Sequence, residues 1–388
     1  MVEFVKKATN VLRWRIFNFN SKLLCALYQI PASTYEKSER KYYLMNKKRL
    51  IQGRRDFRKG ELQHFVETLD TQRNDMYSNN AERKRIIRDF IRCYKTYGIV
   101  AEEYFALDFH DRTEEERDCC VSRWRQFHIV HSLNPAKYQH LVADKALFVK
   151  NMAPYTGRSI LDMNDATYEE FCQVFDKNKK LMVKPIEGHS GRGIYSIETD
   201  ATNKAETYES LKGQPVLVED YIVQTGILHD LCPSCVNTLR IATLNNGTEQ
   251  IVPFAFFRTG RIGATVDNLH AGGILWPVDE RTGSVSAPGY TTEGVDYTAH
   301  PDTGIPVLGM QIPRWEEACN LVKEAAKQIP ELRFLSWDVV IGDDVLLIIE
   351  ANDSGGFWRP GHKDYNMWQF MKEYMDRTLG EDRPMGYF

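Results

Sequence analysis

A glycine-rich segment at residues 184–193 is the first candidate for chemistry in this chain. It reads Lys-Pro-Ile-Glu-Gly-His-Ser-Gly-Arg-Gly and lies between two short apolar runs that predict strands. Glycines let backbone N–H groups approach phosphate oxygens, and Lys184 adds a positive charge at the end of the first strand. The residue order excludes a Walker loop and a dinucleotide-binding fingerprint. The segment alone therefore predicts either a phosphate-binding loop or a flexible hairpin.

A second candidate spans residues 337–352. Two apolar runs flank a Gly-Asp-Asp turn, which predicts a hairpin that brings Asp338 near Glu350. Glu350 and Asn352 are two residues apart on a strand and therefore point to one face. Carboxylates in such apolar strands are costly unless they are paired or bind a metal. The three side chains form a hard-oxygen set suited to Mg²⁺, and a buried salt bridge beside an asparagine turn is the alternative.

The elements that must position these residues change in character near residue 180. Apolar residues recur at helical spacing through residues 61–135, and Thr113–Glu116 fits a capping box. Helical spacing returns at Glu316–Gln328 and Tyr365–Thr378. The predicted strands are Leu181–Pro185, Ile194–Glu198, Val216–Ile222, Val236–Leu244, Ile251–Arg258, Phe334–Ile341 and Val345–Glu350. This order predicts an α+β or α/β fold behind a helical front.

Length and composition predict two or three globular domains, since the chain has 388 residues, 43% of them hydrophobic and 27% charged. The net charge of −3 conceals an uneven distribution. Residues 1–60 hold 15 Lys/Arg and 4 Asp/Glu, a charge of +11, and the remainder carries −14. A basic head on an acidic body excludes reading the whole chain as a nucleic-acid binder.

The basic head, residues 1–60, begins with a pattern typical of an amphipathic helix. It could lie on an anionic membrane or a biosynthetic partner, or pack on the acidic body, which is the interpretation we favour. We find no cleavable signal sequence and no apolar run of bilayer length. Eight irregularly spaced cysteines do not form a disulfide framework. We therefore expect a cytoplasmic protein, with membrane association as an open alternative.

Four ordered features give the chain a recognisable resemblance. Asp144-Lys145 comes first, the glycine-rich hairpin follows, a strand then ends in the acid Glu219, and the Asp…Glu-x-Asn strands come last. This order resembles the ATP-grasp superfamily. The runs Asn-Thr-Leu-Arg at 237–240 and Asp-Asn-Leu-His-Ala-Gly-Gly at 267–273 are most similar to its sugar-transfer-associated family. The resemblance covers about residues 80–365.

The resemblance implies an ATP-grasp fold, in which two α/β subdomains clasp ATP, with a helical N-terminal region. It divides the chain into a basic segment (1–60), a helical region (61–140), a lid subdomain with the glycine-rich loop (141–222) and a C-terminal subdomain with the metal site (223–388).

The resemblance also implies roles for individual residues. Nucleotide contacts are Lys145, Lys184, Gly188, Ser190, Gly191, Gly193, Glu219, Tyr221 and Ile222. Lys184 and Arg240 are catalytic, and Asp338, Glu350 and Asn352 hold Mg²⁺. Candidate substrate contacts are Asn237, Arg258, Arg261, Asp267, Asn268, His270 and Arg359. The position two residues after Asn352, an arginine in many ATP-grasp ligases, is Ser354 here.

The implied reaction is ATP- and Mg²⁺-dependent ligation of a carboxylate to an amine through an acyl phosphate. Its substrates would be small sugar or amino-acid derivatives used in glycan or natural-product assembly. The alternatives are an ATP-grasp kinase that phosphorylates a hydroxyl and a nucleotide-binding assembly factor without turnover. The pair Cys232 and Cys235 lacks a second pair at zinc spacing and is interpreted as structural.

Overall fold

The computed structural model describes residues 60–186, 193–200, 202–353 and 366–380. The basic head lies outside these ranges except for Gly60. Gly188, Ser190, Gly191 and Arg359 also lie outside them, so the roles expected of these residues stay predictions.

Helices occupy most of the chain from residue 61 to residue 156. They are α1 (Glu61–Thr71), α2 (Asn80–Tyr97), α3 (Ala101–Ala106), α4 (Glu114–Cys119), α5 (Arg123–Leu133), α6 (His140–Ala143) and α7 (Lys145–Thr156). The core shared by α1, α2 and α3 is aromatic, with Phe65 stacked on Phe90 at 3.9 Å between ring centroids. The predicted capping box at the start of α4 is confirmed: Thr113 Oγ1 accepts from the Glu116 N–H, and the Glu116 carboxylate accepts from the Thr113 N–H.

Glu103 is a buried carboxyl in this helical region. Its Oε2 accepts bonds from the backbone N–H groups of Val100, at 3.2 Å, and Arg123, at 3.0 Å. Burial nevertheless raises its pKa from 4.5 to about 7. Above pH 4.5 the folded protein keeps a proton that the unfolded chain has released, so stability falls as the pH rises towards 7.

Replacing Glu103 with glutamine should flatten this pH dependence. We expect Glu103 to contribute a loss of unfolding free energy between pH 4.5 and 7 of up to about 1.4 kcal/mol per pH unit. The E103Q variant should lack this contribution, because glutamine keeps an acceptor oxygen without titrating. Urea unfolding at pH 5, 6 and 7 measures it, with exposed Glu115→Gln as the control. Equal slopes in wild type and E103Q would contradict this account.

The smaller sheet has four antiparallel strands in the order β1-β4-β2-β3. They are β1 (Ile160–Asp162), β2 (Lys180–Pro185), β3 (Tyr195–Glu198) and β4 (Val216–Asp220). Helices α8 (Tyr168–Lys177) and α9 (Lys204–Leu211) belong to the same unit. Leu181, Val183 and Val218 pack against Phe171 and Phe175 on one face. Side chains alternate along a strand, so the neighbours of these residues point to the opposite face.

The larger sheet has eight antiparallel strands in the order β10-β9-β8-β7-β5-β11-β12, with β6 paired to β5. They are β5 (Thr238–Asn245), β6 (Gln250–Ile251), β7 (Ala255–Thr259), β8 (Ile274–Val278), β9 (Gly289–Tyr290), β10 (Asp296–Tyr297), β11 (Phe334–Ile341) and β12 (Leu346–Asn352). The helices of this part are α10 (Ile227–Leu231), α11 (Trp315–Ala326) and α12 (Met367–Leu379). Strand β12 lies at one edge.

Both faces of the larger sheet bear helices. Leu239, Ile241 and Trp337 pack with residues of α7 and α11 on one face. On the other face, Leu244 and Phe334 pack with residues of α5 and α12. The helical N-terminal region is thereby part of the same body as the sheet.

Asn134, directly after α5, fixes this attachment. Its amide nitrogen donates to the carbonyls of Phe334, at 2.6 Å, and Asp353, at 3.0 Å, and its Oδ1 accepts from the Phe334 N–H. Asp353 immediately follows β12, so this one side chain holds the start of β11 and the end of β12 together.

Two strand predictions need correction. The run 251–258 is two short strands rather than one, because Pro253 interrupts it and has no N–H to donate to a ladder. The run 216–222 ends as a strand at Asp220, so Tyr221 and Ile222 lie in the segment that follows.

Candidate active site

The face of the smaller sheet that points away from α8 and α9 carries Lys184 and Glu219. Both lie on the face opposite Val183 and Val218, which pack beneath the helices. Lys184 Nζ lies 2.7 Å from Glu219 Oε2, and a third residue, Arg158, lies 3.1 Å from the same oxygen. Burial opposes ionisation of Glu219, but the two cations outweigh it and lower the pKa of this carboxyl. The predicted phosphate-binding lysine is therefore held in an ion pair.

Lys145, at the first position of α7, lies beside the end of β2. The preceding Asp144 caps the helix by accepting from the Leu147 N–H at 3.0 Å. Lys145 Nζ donates to the Pro185 carbonyl at 2.9 Å. Burial lowers the pKa of Lys145, Glu350 opposes that shift and Lys184 adds to it. The charges of Lys184 and of the predicted metal ligand Glu350 therefore both act on Lys145.

Arg240, Asp338 and Glu350 stand side by side on the three neighbouring strands β5, β11 and β12. The register pairs Asp338 with Arg240 on one side and with Glu350 on the other. The predicted hairpin does bring the two carboxylates together.

A β-bulge at Ile349 aims Glu350. The pairing of β11 with β12 shifts between Asp338 and Val339, which leaves Ile349 as an extra residue. Ile348 faces the apolar core, so strict alternation would turn Glu350 to the core as well. The extra residue reverses this and places Glu350 beside Asp338, as bulges near functional sites often do.

Asp338 is 4% exposed and contacts two guanidinium groups. Its Oδ1 accepts from Arg240 Nε at 2.8 Å, and its Oδ2 accepts from Arg258 Nη2 at 2.9 Å. Burial opposes ionisation, but the two arginines hold the pKa of Asp338 far below its usual range. Burial and the charge on Asp338 raise the pKa of Glu350.

The oxygen donors fit a hard cation such as Mg²⁺. Asn352 Nδ2 lies 3.4 Å from Glu350 Oε1, so the amide and the carboxylate are adjacent. A divalent cation would offset the repulsion that raises the pKa of Glu350. Because Asp338 already contacts two arginines, Glu350 and Asn352 are the better placed donors. Among the described residues, no three His, Cys, Asp or Glu side chains form a metal-binding group. Mg²⁺ usually binds one or two carboxylates together with substrate phosphates and water.

The predicted substrate residues fall into two groups. Arg258 and Asp267 are buried and lie 3.4 Å apart, and the Thr238 backbone N–H donates to Asp267 at 2.8 Å. Burial opposes the charge on Arg258, but Asp267 and Asp338 raise its pKa. Burial raises the pKa of Asp267. Arg258 and Asp267 therefore extend the charged cluster around Asp338 to β7, on the side away from Lys145 and Lys184.

Asn237 is fully buried, and its side-chain amide bonds to backbone groups of three residues. It donates to the carbonyls of Leu228 and Cys232 and accepts from the Gly260 N–H. In this structure Asn237 therefore positions the start of β5.

The second group is more exposed. Asn268 Oδ1 accepts from the His270 N–H and so shapes the short turn at 269–271. His270 Nδ1 lies 3.3 Å from Glu102 in α3, which brings this loop against the helical region. Arg261 forms an ion pair with Asp302, and its Nε donates to Asp302 Oδ2 at 2.7 Å.

Gly193, Tyr221 and Ile222 are the remaining predicted nucleotide contacts that the structure describes. Gly193 has φ +76°, a conformation that favours glycine, and a Cβ there would meet Pro185 at 3.0 Å. Tyr221 has Lys180 Nζ 4.9 Å from its ring centroid. Ile222 follows it in the chain segment between the two sheets.

Sequence reasoning missed Arg158 and Glu102. Arg158 is a single charged residue in a short polar run, and Glu102 lies beside Glu103 in an otherwise apolar run, so neither spacing nor a neighbouring motif distinguishes them. Cys232 and Cys235 are buried with their sulfurs 3.6 Å apart. No helix in the described part of the chain is long and apolar enough to cross a bilayer.

A sequence profile of the sugar-transfer associated ATP-grasp family matches residues 125–360, more than half of the chain. The chain belongs to this family, and its fold is the ATP-grasp fold with a helical N-terminal region. The predicted resemblance and fold class are confirmed. A search of curated proteins finds no match.

Solved structures with similar folds are distant in sequence. The ATP-grasp ligase PsnB, complexed with minimal precursor, Mg and ADP, is 14% identical with a TM-score of 0.38 over 63% of this chain and 62% of its own. The D-alanine–D-alanine ligase from Coxiella burnetii is 13% identical with a TM-score of 0.35 over 63% and 57%. The biotin carboxylase domain of Hydrogenobacter thermophilus 2-oxoglutarate carboxylase is 16% identical with a TM-score of 0.38 over 62% and 46%. The aligned part of this chain spans less than two thirds of the length of each.

Proposed function

We propose that this protein is an ATP- and Mg²⁺-dependent ligase that joins a carboxylate to an amine through an acyl phosphate. The observation that carries the proposal is that Arg158 bonds to Glu219 on the smaller sheet and to the carbonyls of Ile348 and Ile349, next to Glu350, on the larger sheet. Lys184, Glu219 and Lys145 of α7 therefore lie beside the edge strand that carries Glu350.

In this proposal ATP is a substrate and its phosphates bind between the two groups. Lys184 leaves Glu219 to contact phosphate oxygens, and Lys145 adds a second positive charge. The residues that would hold Mg²⁺ are Glu350 and Asn352, with Asp338 beside them. When bound, the cation supplies neutralisation of the crowded phosphate oxygens.

The proposed reaction has two steps, a phosphoryl transfer and then an acyl transfer. A substrate carboxylate oxygen attacks the γ-phosphorus and ADP leaves, which gives an acyl phosphate. An amine then attacks the acyl carbon, phosphate leaves and the amine loses a proton. In this proposal Arg240 stabilises the charge that develops during both transfers, and Asp338 holds its guanidinium in a fixed orientation.

The family description favours a sugar or amino-acid derivative as the carboxylate substrate. We keep three further expectations as proposals: the subdomain limits at residues 141–222 and 223–388, a cytoplasmic location, and contact of the basic head with a partner or an anionic membrane.

Hydroxylamine trapping tests the ligase directly. Wild-type protein with Mg²⁺, ATP, hydroxylamine and a panel of sugar acids and amino acids should form a hydroxamate and ADP in equal amounts with at least one carboxylate. Lys184→Met should lower the rate by about 10²-fold or more, because one preorganised cation is lost. Exposed Lys212→Met serves as the matched control.

Two outcomes would overturn this proposal. A phosphorylated hydroxyl product without hydroxamate would identify a kinase. Binding of an ATP analogue without ADP release from any combination of substrates would favour the assembly factor.

A further inference from the structure

Arg158 lies where the two sheets meet. It precedes β1 by two residues, and its side chain is 3% exposed. All three guanidinium nitrogens are engaged: Nε by Glu219 at 3.1 Å, Nη1 by the carbonyls of Thr156 at 3.1 Å and Ile348 at 2.9 Å, and Nη2 by the Ile349 carbonyl at 3.4 Å. One side chain therefore bonds to the smaller sheet and to the edge strand of the larger sheet.

The contact with Glu219 has a consequence for Lys184. Both cations share Glu219 Oε2, and this carboxylate is buried. If Lys184 moved to a phosphate in a protein that lacked Arg158, Glu219 would be left as an unpaired buried charge, which is strongly unfavourable. Arg158 contacts the same oxygen and is held by three backbone carbonyls, so it can keep the carboxylate paired.

The contact with β12 stabilises the bulge that aims Glu350. A regular strand points successive carbonyl groups to opposite sides, but the carbonyls of Ile348 and Ile349 both reach Arg158. The bulge removes ladder partners at this point, and Arg158 supplies a donor to the carbonyls it exposes.

We propose that Arg158 is a positioning residue that keeps Glu219 paired while Lys184 binds phosphate and that holds the Ile349 bulge so that Glu350 faces the metal. This inference rests on the proposed nucleotide site. It does not depend on which carboxylate or amine the enzyme uses.

Two substitutions separate the two roles. Arg158→Met removes both contacts. Arg158→Lys keeps a cation for Glu219, but a single ammonium cannot span the carboxylate and the bulge carbonyls. Arg314→Met is the matched control, because Arg314 donates to the carbonyls of Gly342 and Val345 at the opposite end of the same hairpin.

The readouts are the affinity for the non-hydrolysable analogue AMPPNP in EDTA and the Mg²⁺ concentration that half-saturates AMPPNP binding, both by calorimetry on the full chain. R158M should weaken AMPPNP binding and raise the Mg²⁺ requirement, each by about 10–100-fold, as for losses of groups that orient metal ligands. R158K should keep its affinity in EDTA while its Mg²⁺ requirement rises by about tenfold. R314M should change neither quantity.

Wild-type values for both quantities in R158M, or equal shifts in R314M, would overturn the inference. If R158M does not fold, R158K decides, because an unchanged Mg²⁺ requirement in that variant contradicts the role at the bulge. Wild-type protein that binds no AMPPNP would refute the nucleotide site and the inference together. Analogue binding without hydroxamate formation would refute the ligase alone, and the Arg158 comparison would still stand.

Discussion

Replacing Asp338 with asparagine should lower the free energy of unfolding by about 3–5 kcal/mol, the usual effect of removing one partner of a buried ion pair. The variant leaves Arg258 buried, with Asp267 at 3.4 Å as its remaining carboxylate. It also releases Arg240, whose orientation depends on two bonds to Asp338. Hydroxamate formation should therefore fall by about 10³-fold or more, since one electrostatic contact is lost and another is misplaced.

Urea unfolding and the trapping assay measure the two effects on the same preparation. Exposed Asp344→Asn, on the turn of the same hairpin, is the control and should leave both quantities unchanged. Wild-type rates of hydroxamate formation in D338N would contradict the catalytic site proposed around Asp338.

Replacing Glu350 with glutamine should separate activity from stability. We expect hydroxamate formation to fall by about 10²–10³-fold, because the substitution removes a charge proposed to hold Mg²⁺. The unfolding free energy at pH 7 should stay within about 1 kcal/mol of the wild-type value or increase, because burial and Asp338 already disfavour the ionised carboxyl, whose pKa is raised.

The raised pKa of Glu350 makes the stability of the protein depend on pH. Above pH 4.5 the unfolded chain releases a proton that folded Glu350 retains, so wild-type stability declines as the pH rises, and E350Q should lack this contribution. Unfolding in urea at several pH values, together with the trapping assay, provides the measurement. A loss of several kcal/mol in E350Q would show that Glu350 is a structural ion-pair member, which is the other interpretation of the sequence.

The sequence predicted the pairing of Asp338 with Glu350, because turn residues between two apolar runs determine a hairpin without knowledge of the rest of the fold. It also predicted Lys184 at the end of a strand, since a change from apolar to glycine-rich residues marks that point. Both features depend on neighbours in the chain.

Arg158 could not be predicted in the same way. Its partners, Glu219 and the carbonyls at Ile348 and Ile349, are 61 to 191 residues away. The engagement of Asp338 by two arginines depends likewise on the lateral order of β5, β7 and β11. Contacts of this kind arise from sheet order, which periodicity does not specify.

The bulge at Ile349 also determines how β12 tolerates changes in length. Even-numbered side chains of β12 face the core before the bulge and the opposite face after it, because Ile349 is one residue more than β11 pairs with. Deleting Ile349 would restore a regular strand and leave Glu350 and Asn352 on the same face as Asp338. Deleting Leu347 instead would put the first half of the strand out of phase with β11. Insertions and deletions in this strand therefore differ in effect according to their position, even when their number is the same.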